Sequence, residues 1–105
     1  NLGFLDTEQR IVALAQFYSR FDNPYRGGQL IEKEMAAGRV EKSLKNLELL
    51  SQLWSMAREQ RKAIASLTEA ARLSDSGELY YRLGQSYVAD EQFDKGIENL
   101  RQALR

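Results

Sequence analysis

The chain has 105 residues whose 15 acidic and 15 basic side chains cancel and are interspersed, which argues against a surface built for nucleic acid or anionic lipid. It has no His and no Cys, which removes the commonest general base, the thiol nucleophile and most zinc sites, and leaves no disulfide to hold the fold. No apolar run approaches the ~18–20 residues that a membrane-spanning helix needs, so direct insertion into a bilayer is not expected.

In chain order, Asp6 and Thr7 precede Glu8-Gln9, and Ile11, Leu14, Ala15 and Tyr18 form one apolar face, predicting a first helix. Asn23-Pro24 predicts the start of a second, because proline's missing N–H is harmless at the first helical position. Gly38, following Ala36-Ala37, is expected to end it in the left-handed conformation. Ser43 is the candidate N-cap of a third helix reaching about Ala57, and a fourth is predicted from Gln60 to Leu73. Asp75 and Glu78 have capping-box spacing ahead of the apolar set Leu79, Tyr80, Leu83, Tyr87 and Val88. Asp90-Glu91-Gln92 then reads as a polar turn with Asp90 as N-cap of a last helix carrying Phe93, Ile97, Leu100 and Leu104 on one face. Nothing alternates as a strand would, and the single proline suits an all-α chain of six helices in three antiparallel pairs.

The pattern repeats. Leu50, Ser51, Trp54, Ala63, Leu67 and Ala70 recur 33 residues later as Leu83, Gly84, Tyr87, Gly96, Leu100 and Ala103. A degenerate copy, Leu14, Ala15, Tyr18, Gly27 and Ile31, lies 36 residues upstream, with Glu34 where Ala is expected. A fixed period of this length marks stacked repeats, here about residues 8–43, 44–76 and 77–105 of one domain spanning 1–105. Glycine inside a helix costs roughly 1 kcal/mol against alanine, so Gly84, and by the same argument Ala63 and Gly96, should mark close helix approaches. Gly27-Gly28 fits close packing better than phosphate binding.

These residues resemble the tetratricopeptide (TPR) repeat, most fully over Tyr80 to Ala103 and least in the first copy. The resemblance implies a right-handed α-solenoid. It assigns packing to Leu14, Tyr18, Leu50, Trp54, Ala63, Leu67, Ala70, Leu83, Gly84, Tyr87, Gly96, Leu100 and Ala103, with Phe93 in the same class. It also implies a concave groove lined by the first helix of each pair: Gln9, Val12, Gln16, Ser19 and Arg20; Lys45, Glu48, Gln52, Ser55 and Met56; Glu78, Tyr81, Gln85, Val88 and Ala89. Gln16, Gln52 and Gln85 would form a ladder there, able to hold a peptide backbone or serving only as soluble helix formers. Gln16, Arg20, Glu48, Gln52, Ser55, Tyr81 and Gln85 are the candidate partner-binding residues. The carboxylate clamp of chaperone-binding TPR domains needs Lys and Asn where this chain has Val12 and Gln16, Glu48 and Gln52, or Tyr81 and Gln85. That mode of capture is therefore disfavoured.

Catalysis has little to work with. Glu32/Glu34 and Asp90/Glu91 read as solvated helix faces and caps, no calcium loop or phosphate loop is present, and neither metal nor cofactor is expected. The expected function is a non-catalytic protein–protein interaction module. The alternative is a structural or oligomerisation segment of a longer superhelix. Two stretches, Asn23 to Lys33 and Lys45 to Leu50, are similar to bacterial TPR proteins encoded beside TonB–ExbB–ExbD transport systems. That likeness implies the periplasm of a Gram-negative bacterium and an energy-transducing envelope partner, with the cytoplasm as alternative. No polar capping helix follows Ala103-Leu104-Arg105, so further repeats, or self-association through the uncapped last helix, are expected.

Overall fold

The computed structural model describes the backbone from residue 2 to residue 105, and side chains from residue 7 onward. Its helices are α1 (Leu2–Arg20), α2 (Pro24–Ala36), α3 (Leu44–Met56), α4 (Gln60–Leu73), α5 (Gly77–Ala89) and α6 (Phe93–Ala103). Turns of three residues fold α2 back on α1, α4 on α3 and α6 on α5. Each turn contains one left-handed residue, Asp22, Arg58 or Glu91. The pairs then pack consecutively, each helix mainly on its neighbours in sequence. The body is accordingly elongated, 44 × 28 × 20 Å, with a radius of gyration of 14.2 Å against about 13 Å for a compact chain of this length. No helix among the described residues is long and apolar enough to cross a membrane.

Local signals explain most of the helix ends. Asn23 caps α2 by accepting from the Arg26 N–H with Pro24 at the first position, and Gly38 follows its end at φ +79°. Ser43 caps α3 by accepting from the Asn46 N–H. Three expectations are corrected. Residues 6 and 7 lie inside α1, which begins at Leu2. Ser76, not Asp75, caps α5, accepting from the Glu78 N–H at 3.2 Å. Asp75 instead receives a hydrogen bond from Tyr80, which holds that phenol above its ordinary pKa. Asp90 closes the end of α5, its own N–H reaching the Ser86 carbonyl, and α6 has no side-chain cap.

The core runs through the stack: Ala15, Ile31, Leu47, Leu50, Leu53, Trp54, Ala63, Leu67, Ala70, Leu79 and Leu83 are buried. Small residues mark the close approaches. A Cβ on Gly84 would stand 2.6 Å from Leu100 Cγ and 3.0 Å from the Gly96 carbonyl, and one on Gly28 would stand 2.9 Å from the Trp54 ring. A second regularity accompanies these. Arg26, Lys62 and Lys95, equivalent positions in the three repeats, stand 5.8, 4.6 and 5.8 Å from the ring centres of Tyr18, Trp54 and Tyr87. Each hairpin is thus clasped by a cation of its second helix over the aromatic ring of its first.

Two residues assigned to packing are exposed instead. Leu14 and Phe93 lie on α1 and α6, where no other helix among the described residues covers them, and Ala15 beside Leu14 is buried. Tyr18, Tyr87, Leu100 and Ala103 are half-buried. Glu34, read as solvated, is buried. Its carboxylate pairs with the Arg39 guanidinium and its carbonyl accepts from the N–H groups of Arg39 and Val40. This arrangement closes the loop between α2 and α3, where the extra residues of the first repeat's longer period are accommodated. The Arg39 hydrogen bond holds the Glu34 carboxyl below the usual carboxylate range.

Candidate functional site

The first helix of each pair, α1, α3 and α5, leaves one face uncovered by its partner. Gln16, Arg20, Gln52, Ser55, Tyr81 and Gln85 are all exposed, and Glu48 is half-buried. The helical period places these residues in rows that run across the three helices. A contact bridges α1 and α3: the Ser19 hydroxyl donates to Met56 Sδ at 3.5 Å. Glu8 bridges them again, its Oε1 accepting from the Glu41 N–H at 2.7 Å and from Asn46 Nδ2 at 3.0 Å.

Two clefts lie on this face. The larger, of about 430 Å³, sits where α3, α4 and α5 meet, and is lined by Gln52, Ser55, Gln60, Arg82, Gln85 and Ser86 among others. The second, of about 330 Å³, lies between α1 and α3 and is lined by Gln9, Val12, Gln16 and Lys45 among others. The structure thus brings Gln52 and Gln85 together in one cleft, while Gln16 lines the other. Tyr81, Glu48 and Arg20 are not among the lining residues of either.

Arg82 was not singled out by the sequence, although Glu78, four residues before it, has the spacing of a helical ion pair. Its Nη2 donates to Glu78 Oε1 at 2.8 Å. Its Nη1 is buried with no hydrogen-bond partner among the described residues. Among the described residues, Arg82 is the only charged one lining the larger cleft, where it stands with three amides and three hydroxyls. This cleft therefore offers several donors and acceptors beside one cation, itself paired with Glu78, a set suited to backbone amides and carbonyls. The groups with displaced ionisation lie off it: Glu34 and Arg39 flank the end of α2, and Tyr80 lies against α4. Among the described residues, no group of three acidic, His or Cys side chains converges as metal ligands would. A scan against protein-family models finds no match for the chain, and a search of curated proteins finds none either.

Proposed function

We propose that this chain is a TPR-like interaction module whose open face, formed by α1, α3 and α5, holds an extended or helical segment of a partner protein. One observation supports this most: Gln52, Ser55, Gln85 and Arg82 converge on a single polar cleft between successive repeats. Amides at equivalent positions of neighbouring repeats can pair with successive peptide groups of a ligand lying across them. Tyr81 stands exposed on the same helix and supplies a rigid aromatic contact, the residue type that interfaces favour. The likeness of residues 23–33 and 45–50 to TonB-associated TPR proteins adds a proposed setting, a bacterial envelope assembly.

The test is a peptide selected by display against the intact chain, with its affinity then measured for the parent and for Gln52→Ala/Tyr81→Ala/Gln85→Ala. All three side chains are exposed, so thermal stability should stay within about 0.5 kcal/mol of the parent. The affinity should fall at least tenfold, about 1.4 kcal/mol. An unchanged affinity in the folded variant would move the binding surface elsewhere.

A further inference from the structure

Away from the open face, the second helices of the pairs are separated by clefts of their own. One, of about 220 Å³, lies between α2 and α4 and has Met35, Leu47, Leu50 and Ser66 in its lining. The other, of about 360 Å³, lies between α4 and α6 and is lined by Thr68, Ala71, Arg72, Tyr80, Leu83, Tyr87 and Asn99. The repeat register pairs them residue by residue: Glu32 with Thr68, Met35 with Ala71, Leu47 with Tyr80, Leu50 with Leu83 and Ser66 with Asn99. The opening therefore recurs wherever one hairpin stacks on the next. Neither cleft shares a lining residue with those of the open face.

The two differ in filling and in charge. Met35, 7% exposed, occupies a position that in the second cleft is Ala71, whose side chain stops at Cβ. The lining of the first cleft holds two acids, Glu32 and Glu69, against two bases, Lys42 and Lys62, so its charges balance. In the second, Arg72 is the only charged residue among the described lining, and it has no ion pair among the described residues. The hydroxyl of Thr68 is engaged with the Ile64 carbonyl at 2.7 Å, and Asn99 Nδ2 with the Lys95 carbonyl at 2.8 Å. Tyr80 is tied to Asp75, which is outside the lining, and Lys95 Nζ stands 5.8 Å from the Tyr87 ring centre. Two oriented phenol rings thus wall an apolar floor of Ala71 and Leu83, beside one uncommitted guanidinium.

We propose that the cleft between α4 and α6 is a second docking site, which takes an aromatic or large aliphatic side chain of a partner protein with an aspartate or glutamate beside it. The apolar body lies against Ala71, Leu83 and the two rings, which favour offset or edge-on aromatic contacts. The neighbouring carboxylate meets the Arg72 guanidinium, whose fork matches it in geometry and charge. Charge complementarity selects this occupant, because the lining carries one cation and, among the described residues, no acid. The cleft lies near the low end of the roughly 300–1,000 Å³ typical of binding pockets, so it has room for an anchoring side chain rather than a folded element. An apolar anchor in a pocket with a charged rim is the usual arrangement at the centre of an interface. The Met-filled, charge-balanced cleft between α2 and α4 offers the same occupant neither space nor an unpaired cation. The site does not rest on the groove.

An NMR titration of the intact chain tests it with three probes. N-acetyl-Phe-Asp amide, made in both residue orders, carries the Asp carboxylate as its only charge; N-acetyl-Phe-Asn amide lacks that charge; phenylacetate stands for a free aromatic acid. The better acidic peptide should shift the signals of Arg72, Tyr80, Tyr87 and Asn99 with a midpoint of about 1–10 mM. The Asn peptide should bind about threefold more weakly, the expected worth of one exposed ion pair. Ser66, in the other cleft, should stay still. Arg72→Gln, at an exposed position, should abolish the preference for Asp over Asn. Ala71→Met, the residue that the first junction carries, should fill the cleft and weaken both peptides about tenfold. Circular dichroism checks both folds, and Arg72→Gln decides alone if Ala71→Met unfolds. Absence of saturable shifts at Tyr80 and Tyr87 up to about 20 mM would overturn the proposal. So would equal binding of the two peptides, a preference that survives Arg72→Gln, or a folded Ala71→Met that binds like the parent. Phenylacetate bound more tightly than either peptide would overturn the assignment to a partner segment. The Gln52→Ala/Tyr81→Ala/Gln85→Ala protein should bind the probes like the parent, which separates this result from the fate of the groove.

Discussion

Replacing Gly28 by alanine sets two opposing effects against each other at one site. Gly28 lies inside α2, where alanine is the better helix former by about 1 kcal/mol. The new methyl carbon, however, would stand 2.9–3.0 Å from three ring atoms of Trp54, where carbon atoms prefer roughly 3.5–4.0 Å. Trp54 has little room to withdraw. It is fully buried, with Lys62 Nζ 4.6 Å from its ring centre and the Tyr25 ring edge-on at 5.4 Å. Overpacking a filled core costs about 1–3 kcal/mol. Steric cost should therefore outweigh propensity, with a net loss of about 1 kcal/mol. For a chain of this size that lowers the melting temperature by roughly 4–8 °C.

Thermal and urea unfolding followed by circular dichroism would measure the loss, with Gln29→Ala at the next, exposed position as a control that should change little. The pair Gly28→Ala/Trp54→Phe should be less destabilised than the sum of its single changes, because the smaller ring relieves the overlap. A Gly28→Ala protein as stable as the parent, or more so, would refute the reasoning and show that α2 and α3 can separate without cost.

Other outcomes follow from the same contacts. Arg39→Ala should lower the urea midpoint at neutral pH, because it strips the buried Glu34 carboxylate of its partner. The folded-state pKa of Glu34 is depressed, so its stabilisation is present above the ordinary value of 4.5 and is lost as pH falls below it. The parent's midpoint should therefore drop through that window, and those of Glu34→Gln and Arg39→Ala should drop less. Ser76→Ala removes the cap of α5 and should cost about 1 kcal/mol in thermal unfolding. Lys62→Gln keeps a helix-forming stem but removes the cation over Trp54, and should cost about 0.5–1 kcal/mol at low salt.

How far the chain could be read in advance depended on the kind of signal. Helix starts at Asn23-Pro24 and Ser43, and the left-handed Gly38, were legible because cap chemistry is local and one residue type satisfies it. The start of α5 was assigned to Asp75 rather than Ser76 because both residues can cap, and only the chain path decides which hydroxyl or carboxylate meets the free N–H. The apolar face of α1 was visible, but not that Leu14 would be uncovered. Burial at that position requires a preceding hairpin, and periodicity carries no information about what lies beyond the helix. Glu34 looked like an ordinary surface carboxylate, since its partner Arg39 lies past the helix end in a loop with no period. The Arg26, Lys62 and Lys95 series was present in the same register as the aromatic residues, but an exposed cation draws no notice until it is seen over a ring.

The open face was legible only in part. Gln52 and Gln85 meet because equivalent positions of consecutive repeats lie side by side, whereas Gln16 is set into a separate cleft. Arg82 escaped notice because its place in the lining of the cleft and its buried, unpaired Nη1 are properties of packing rather than of spacing.

The proposed binding surface is the open face of α3 and α5. Amide and side-chain NMR shift mapping of the intact chain with the display-selected peptide tests this most directly. The largest changes should fall on Gln52, Ser55, Arg82 and Gln85 and vanish in Gln52→Ala/Tyr81→Ala/Gln85→Ala. Changes centred instead on the outward faces of α2, α4 and α6, with that group silent, would contradict it.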